Sequence, residues 1–176
     1  MAMLCPVINE VDPALVTSFV DAAVGVLPQG WMRARRAGGV ITSEPWLDAD
    51  RVIPHAQVVV VSAEDIEPFE KTAVEWFQQV PVAAVTRAAE GAILFVNGER
   101  YHVEADAATL VDDTGAGDVF AAALIIEYQR EGNPWEAAAA AACCAAASVE
   151  AVGPASIPDR PALARRLQAY RRRLGG

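Results

Sequence analysis

The segment Val111-Asp112-Asp113-Thr114-Gly115-Ala116-Gly117-Asp118-Val119-Phe120 gathers residue types that can do chemistry. Small residues at 115–117 let a backbone approach a ligand closely and leave amide N–H groups free to point outward. The apolar residues that follow, Phe120, Ala123 and Leu124, have helical spacing, which puts those amides at a helix N-terminus. Such a terminus is a ready anion site carrying about half a positive charge. Asp118 is then held in the first turn, facing whatever binds there. A phosphate cradle beside a carboxylate suits phosphoryl transfer: the amides hold charge on the moving group, and the carboxylate accepts the proton of the attacking hydroxyl. A glycine-rich turn in which Asp118 is only a helix N-terminal charge fits the same spacing, and the segment alone does not choose between them.

The surrounding elements must position this loop. Asp12-Pro13 reads as an N-cap and first-turn proline, with Leu15, Phe19 and Ala23 at helical spacing behind it. Val24 to Trp31 reads as a short strand broken by turn residues. Met32 to Pro54 is turn-rich and carries Arg33, Arg35 and Arg36. Gln57 to Val61 is a β-branched run typical of a strand buried on both faces of a parallel sheet. Ser62 ends it and caps a helix through Asp65, whose apolar stripe is Ile66, Phe69, Ala73 and Phe77. Val80 to Val85 is a second buried strand, completing a strand–helix–strand unit with a right-handed crossover. Ile93–Val96 and Arg100–Val103 flank Asn97-Gly98, a strong hairpin signal. Three helices follow: one beginning near Gly115, one from Pro134 with Asn133 as N-cap and Glu136 at N3, and one from Asp159 or Pro161. The last is rich in arginine toward its end, where cations complement the dipole of a solvated helix. No repeat and no dividing linker is evident. The expectation is one three-layer αβα domain over residues 1–176 with a mostly parallel sheet.

Composition narrows the function. With 176 residues, 53% hydrophobic and 21% charged, the chain is neither a disordered segment nor a fibre, and it can bury a core without staples. Its net charge of -9 argues against a nucleic-acid or anionic-membrane surface, though not against a nucleotide pocket. Cys143 and Cys144 are adjacent and point about 100° apart on a helix, so they form no ordinary bridge; they and the distant Cys5 suit a reduced compartment. With no signal-peptide pattern and no long apolar run, a cytoplasmic location is expected. His55 and His102 lack a ligand-spaced partner. Trp31, Trp46, Trp76 and Trp135 read as packing residues. A dinucleotide-binding turn, Gly-x-Gly-x-x-Gly after the first strand, is absent from the sequence.

Asp112 to Asp118, followed by Val119-Phe120-Ala121, resembles the C-terminal signature of the ribokinase-like, or PfkB-type, carbohydrate and nucleoside kinases. The resemblance continues through the alanine-rich stretch 134–149 into Glu150-Ala151-Val152-Gly153-Pro154, and Val58–Val61, Pro81–Thr86 and the 93–103 hairpin occur in the family's order. It implies a ribokinase-like fold and ATP-dependent phosphorylation of a sugar or nucleoside-like small molecule. Asp118 is then the catalytic base, and the backbone of Gly115, Ala116 and Gly117 the anion hole. Thr86 and Gly91, in the segment resembling the family's Thr-x-Gly-x-x-Gly loop, take the nucleotide with Thr114 and Gly153. Asp65 serves magnesium, and Asp112 with Ser156 a monovalent cation such as potassium. The alanine run 137–147 either lies near the adenine or serves close helix packing.

Departures from the pattern carry their own expectations. Ala88 stands where the loop's first glycine belongs, and a positive φ there costs about 1 kcal/mol. Ser62 and Asp65 replace a longer Asn-x-x-Glu pair and fit a helix cap as well. Asp113 stands where relatives have threonine. The resemblance enters mid-pattern near Pro6, and nothing here resembles the family's acceptor-binding N-terminal half. The chain is thus either a kinase, or part of one, or a nucleotide-binding or structural remnant without turnover. A parallel sheet cut in this way exposes an apolar edge, for which a second copy, in a homodimer, is the expected cover.

Overall fold

The computed structural model describes residues 1–175. The chain divides into two compact units, one of Met1–Arg87 with Ile93–Tyr101, the other of Ala88–Ala92 with His102 onward.

The first unit is built on a sheet. Its strands are β1 (Ala2–Leu4), β2 (Val24–Val26), β5 (Val58–Ser62), β6 (Val82–Thr86), β7 (Ala92–Val96) and β8 (Glu99–Val103), side by side in that order. A separate ribbon pairs β3 (Arg33–Arg35) antiparallel to β4 (Ile41–Ser43). The pairs β1–β2, β2–β5 and β5–β6 are parallel. Between strands lie α1 (Ala49–Val52), α2 (Ala63–Ile66) and α3 (Glu70–Phe77). The Val58–Val61 run is buried throughout, as its continuous β-branched composition requires. The register sets Ser62 opposite Thr86 at the C-terminal ends of β5 and β6, the end of a parallel sheet where ligands bind in open α/β folds. Asn97 and Gly98 both take positive φ, 49° and 82°, closing the hairpin as their types demand.

The expected stripe of Ile66, Phe69, Ala73 and Phe77 faces the core, although Pro68 divides it between α2 and α3. Trp31 stacks on Trp46 at 5.8 Å, and Trp46 meets Trp76 edge-on at 5.3 Å. Trp135, by contrast, is half exposed. The helix expected after Asp12 is only a 3-10 turn, Pro13–Ser18. Asp12 does accept from the Ala14 N–H at 2.9 Å, but the Thr17 hydroxyl returns to the Ala14 carbonyl at 2.9 Å, and the buried residue is Val16 rather than Leu15. Hydroxyl side chains that bond their own backbone compete with helix continuation. The sheet ends on the three-residue β1 and on the charged β8, both of which blunt edge pairing. Among the described residues neither edge strand is both long and apolar, the feature on which the homodimer expectation rests.

The second unit is helical: α4 (Ala116–Glu131), α5 (Pro134–Ser148) and α6 (Arg160–Leu174). Asn133 Oδ1 accepts from the N–H groups of Trp135 and Glu136, both at 3.1 Å, so the cap works as its sequence predicts. Helix α5 packs against α4 and α6 through its alanines and Cys143 and Cys144. No helix among the described residues is long and apolar enough to cross a membrane.

Burial pushes the Cys143 thiol up to about 12, helped by the Asp106 charge, and the Cys144 thiol to about 11. A thiol that is harder to ionise when folded stabilises the fold below the ordinary thiol range, and that contribution is lost as pH rises from about 9 toward 12. A disulfide exchange reagent at pH 8 should therefore modify only Cys5, which is exposed, in the native protein and all three thiols in denaturant. Fast native modification of all three would contradict this packing.

Candidate active site

Gly115 takes φ +79° and occupies the N-cap of α4, with no side chain bonded across the helix start. That left-handed turn is what requires glycine. The Ala116 N–H reaches Asp113 O at 3.1 Å and Val119 N–H reaches Gly115 O at 2.9 Å, whereas the N–H groups of Gly117 and Asp118 find no backbone acceptor among the described residues. A Cβ added at Gly115 or Gly117 meets nothing within 4 Å, so the loop is not crowded on its side-chain side. Asp118 is exposed in the first turn of α4. The arrangement combines a field favouring an anion with a solvent-facing proton acceptor.

A knot of hydrogen bonds holds the loop from behind. The Asp112 carboxylate accepts from the Thr114 N–H at 3.0 Å. The Thr114 hydroxyl, that N–H and the Gly153 N–H together hold the Asp112 carboxyl below the usual carboxylate range. Val149 O accepts from both Val111 N–H (2.7 Å) and Asp112 N–H (3.2 Å). Ser156 donates its hydroxyl to Ser148 O at 3.1 Å. Asp112, Thr114 and Gly153 are thus drawn together, and Ser156 sits on the same 148–156 turn.

Gly91 closes its loop at φ +84°, and Ala88 is forced to φ 48°. The substitution read as a departure in the sequence does occupy a left-handed conformation. Left-handed backbone costs a residue with a Cβ about 1–2 kcal/mol, partly offset by glycine's larger unfolded-state entropy. Ala88→Gly is expected to stabilise the protein by about 0.5–1 kcal/mol in urea titration; a loss of stability would contradict the strain.

In the first unit, Thr86 donates its hydroxyl to Val61 O at 3.3 Å, and Ser62 Oγ accepts from the Glu64 N–H at 3.3 Å as a helix cap. Asp65 is mostly buried and committed: Gln29 Nε2 lies 3.2 Å from one oxygen, and Arg33 Nη2 3.4 Å from the other. Sequence reasoning missed Gln29 and Arg33 as partners of Asp65, since no local spacing links them. Among the described residues no group of three or more His, Cys, Asp or Glu side chains is placed to hold a metal ion.

The family model of the pfkB family carbohydrate kinases matches residues 31–160. No curated protein matches the sequence. Among solved structures, ribokinase from Thermotoga maritima aligns over 97% of this chain and 56% of its own, at 22% identity and TM-score 0.69. A nucleoside kinase from Methanocaldococcus jannaschii aligns over 95% of this chain and 55% of its own, at 17% identity and TM-score 0.71. Arabidopsis thaliana ribokinase, solved with ribose and ATP, aligns over 94% and 55%, at 20% identity and TM-score 0.70. The chain spans little more than half the length of these structures and shares their α/β fold with a mostly parallel sheet. Since the matched segment covers most of its length and contains the glycine loop and the exposed aspartate, the chain belongs to the pfkB carbohydrate kinase family.

Proposed function

We propose that this chain carries the phosphate-holding and proton-accepting half of an ATP-dependent kinase acting on a hydroxyl of a sugar or nucleoside-like molecule. One observation carries the reading: an exposed carboxylate, Asp118, shares the first turn of a sixteen-residue helix with an exposed Gly117 whose N–H has no backbone acceptor among the described residues. ATP, when bound, supplies the phosphoryl group. Asp118 takes the proton of the attacking hydroxyl, whose oxygen forms the new P–O bond while the bond to the departing ADP breaks. The amides of Gly115 and Gly117 hold charge on the equatorial oxygens, whereas the expected Ala116 amide is already bonded to Asp113 O and serves the shape of the turn. Thr86 and Gly91 serve the nucleotide, Gly91 through the shape of its loop.

The cations fit unequally. Oxygen donors around Asp112 and the 148–156 turn are of the type a hard cation such as potassium takes. Asp65 does not fit a direct magnesium ligand, because Arg33 already neutralises it.

The test is calorimetric titration of the chain with magnesium-ATP, followed by ADP-release assays on a panel of sugars and nucleosides. Binding with turnover that Asp118→Asn abolishes supports the kinase. Binding without turnover supports the second reading, a nucleotide-binding half. No binding overturns both.

A further inference from the structure

Helix α6 has one arginine that does not behave as a solvated charge. Arg166 is on the inward stripe with Leu163, Leu167 and Tyr170. Its Nε donates to Asp106 at 2.5 Å, its two terminal nitrogens each donate to Glu150 at 3.0 Å, and Nη2 also reaches Ala107 O at 2.7 Å. Burial alone pulls its pKa down, but the bonds to Glu150 and Asp106 outweigh it and push the pKa up. The fork is thus spent on two segments of chain. One is 106–107, which leads into the glycine loop. The other is Glu150, next to the Val149 carbonyl that holds Val111 and Asp112 and close in sequence to the Gly153 N–H on the Asp112 carboxylate.

We propose that Arg166 is a positioning residue for the phosphate-binding loop: through its two-pronged bond to Glu150 it fixes the 148–153 turn, and that turn fixes the amides of residues 115–118. The inference rests on the kinase reading for its functional consequence, but not for its structural one. Arg173 supplies an internal control. It bonds Ala105 O at 2.9 Å and Asp106 at 3.2 Å, anchoring the same helix without touching Glu150.

The experiment compares wild type, Arg166→Met, Arg166→Lys, Glu150→Gln and Arg173→Met by hydrogen exchange over residues 111–119, magnesium-ATP titration and melting temperature. Arg166→Met is expected to speed exchange in that peptide and weaken ATP binding about tenfold. Glu150→Gln should share both effects. Arg166→Lys should restore them only in part, because an ammonium cannot make the planar fork. Arg173→Met should lower the melting temperature while leaving loop exchange and affinity as in wild type. Equal effects of Arg166→Met and Arg173→Met on loop exchange and affinity would overturn the proposal, leaving Arg166 a simple anchor of α6. If Arg166→Met does not fold, Glu150→Gln against Arg173→Met decides. Should wild type bind no ATP, the kinase reading fails while loop exchange still settles the role of Arg166.

Discussion

Asp118→Asn is expected to reduce phosphoryl transfer by about a hundred- to ten-thousand-fold, the span that a positioned general base contributes. Asparagine keeps the size of the side chain and removes its capacity to take a proton. Asp118 is exposed and its side chain makes no hydrogen bond or ion pair among the described residues, so the fold should lose only the helix-terminus interaction of a negative charge, about 0.3–1 kcal/mol. ATP affinity should stay within a few-fold, because the proposed phosphate-holding amides belong to the backbone. Coupled measurement of ADP release and calorimetric ATP binding on the same preparations separates these effects. A variant as active as wild type would remove Asp118 from the chemistry.

The strongest elements were legible because their signals are local. The β-branched run of β5, the Asn97-Gly98 turn and the Asn133-Pro134-Glu136 cap each state a conformation within a few residues, and each adopts it. The same holds for the site: Gly115 and Asp118 announce a helix start with a charge in its first turn, and α4 begins there. What escaped was either too short or too distant. Strands β1, β3 and β4 have three residues each, below the length at which a period of two can be read. The Arg33–Asp65 pair spans 32 residues and the Arg166–Asp106 pair 60, and no sequence pattern encodes a partner at that separation. Arg166 did leave a trace, since Leu163, Arg166, Leu167 and Tyr170 recur at helical spacing and put one arginine in an otherwise apolar stripe. Reading the arginines of α6 together as a solvated face hid it.

Gly91→Ala is expected to be the most damaging single-methyl substitution in the 86–91 segment, by about 3 kcal/mol or more, since two separate penalties fall on one carbon. The backbone at Gly91 has φ +84°, a conformation that costs a residue with a Cβ about 1–2 kcal/mol. The added Cβ would also lie 2.1 Å from the Val103 carbonyl oxygen and 2.8 Å from the Ala105 nitrogen. These are backbone atoms, so no rotamer change relieves the contact, and the 88–91 turn or the end of β8 must move. Ala88 isolates the first penalty, because it already lives at positive φ without glycine. The two positions should therefore respond with opposite sign: Ala88→Gly gains stability, Gly91→Ala loses several times more. Paired urea melts check this, and the pair also separates shape from chemistry in the loop. If Gly91→Ala folds with near-native stability, the close approach to Val103 is wrong. If it is destabilised as stated, its glycine is explained by the turn itself, and any loss of nucleotide affinity in that variant follows from a displaced backbone rather than from a lost ligand contact.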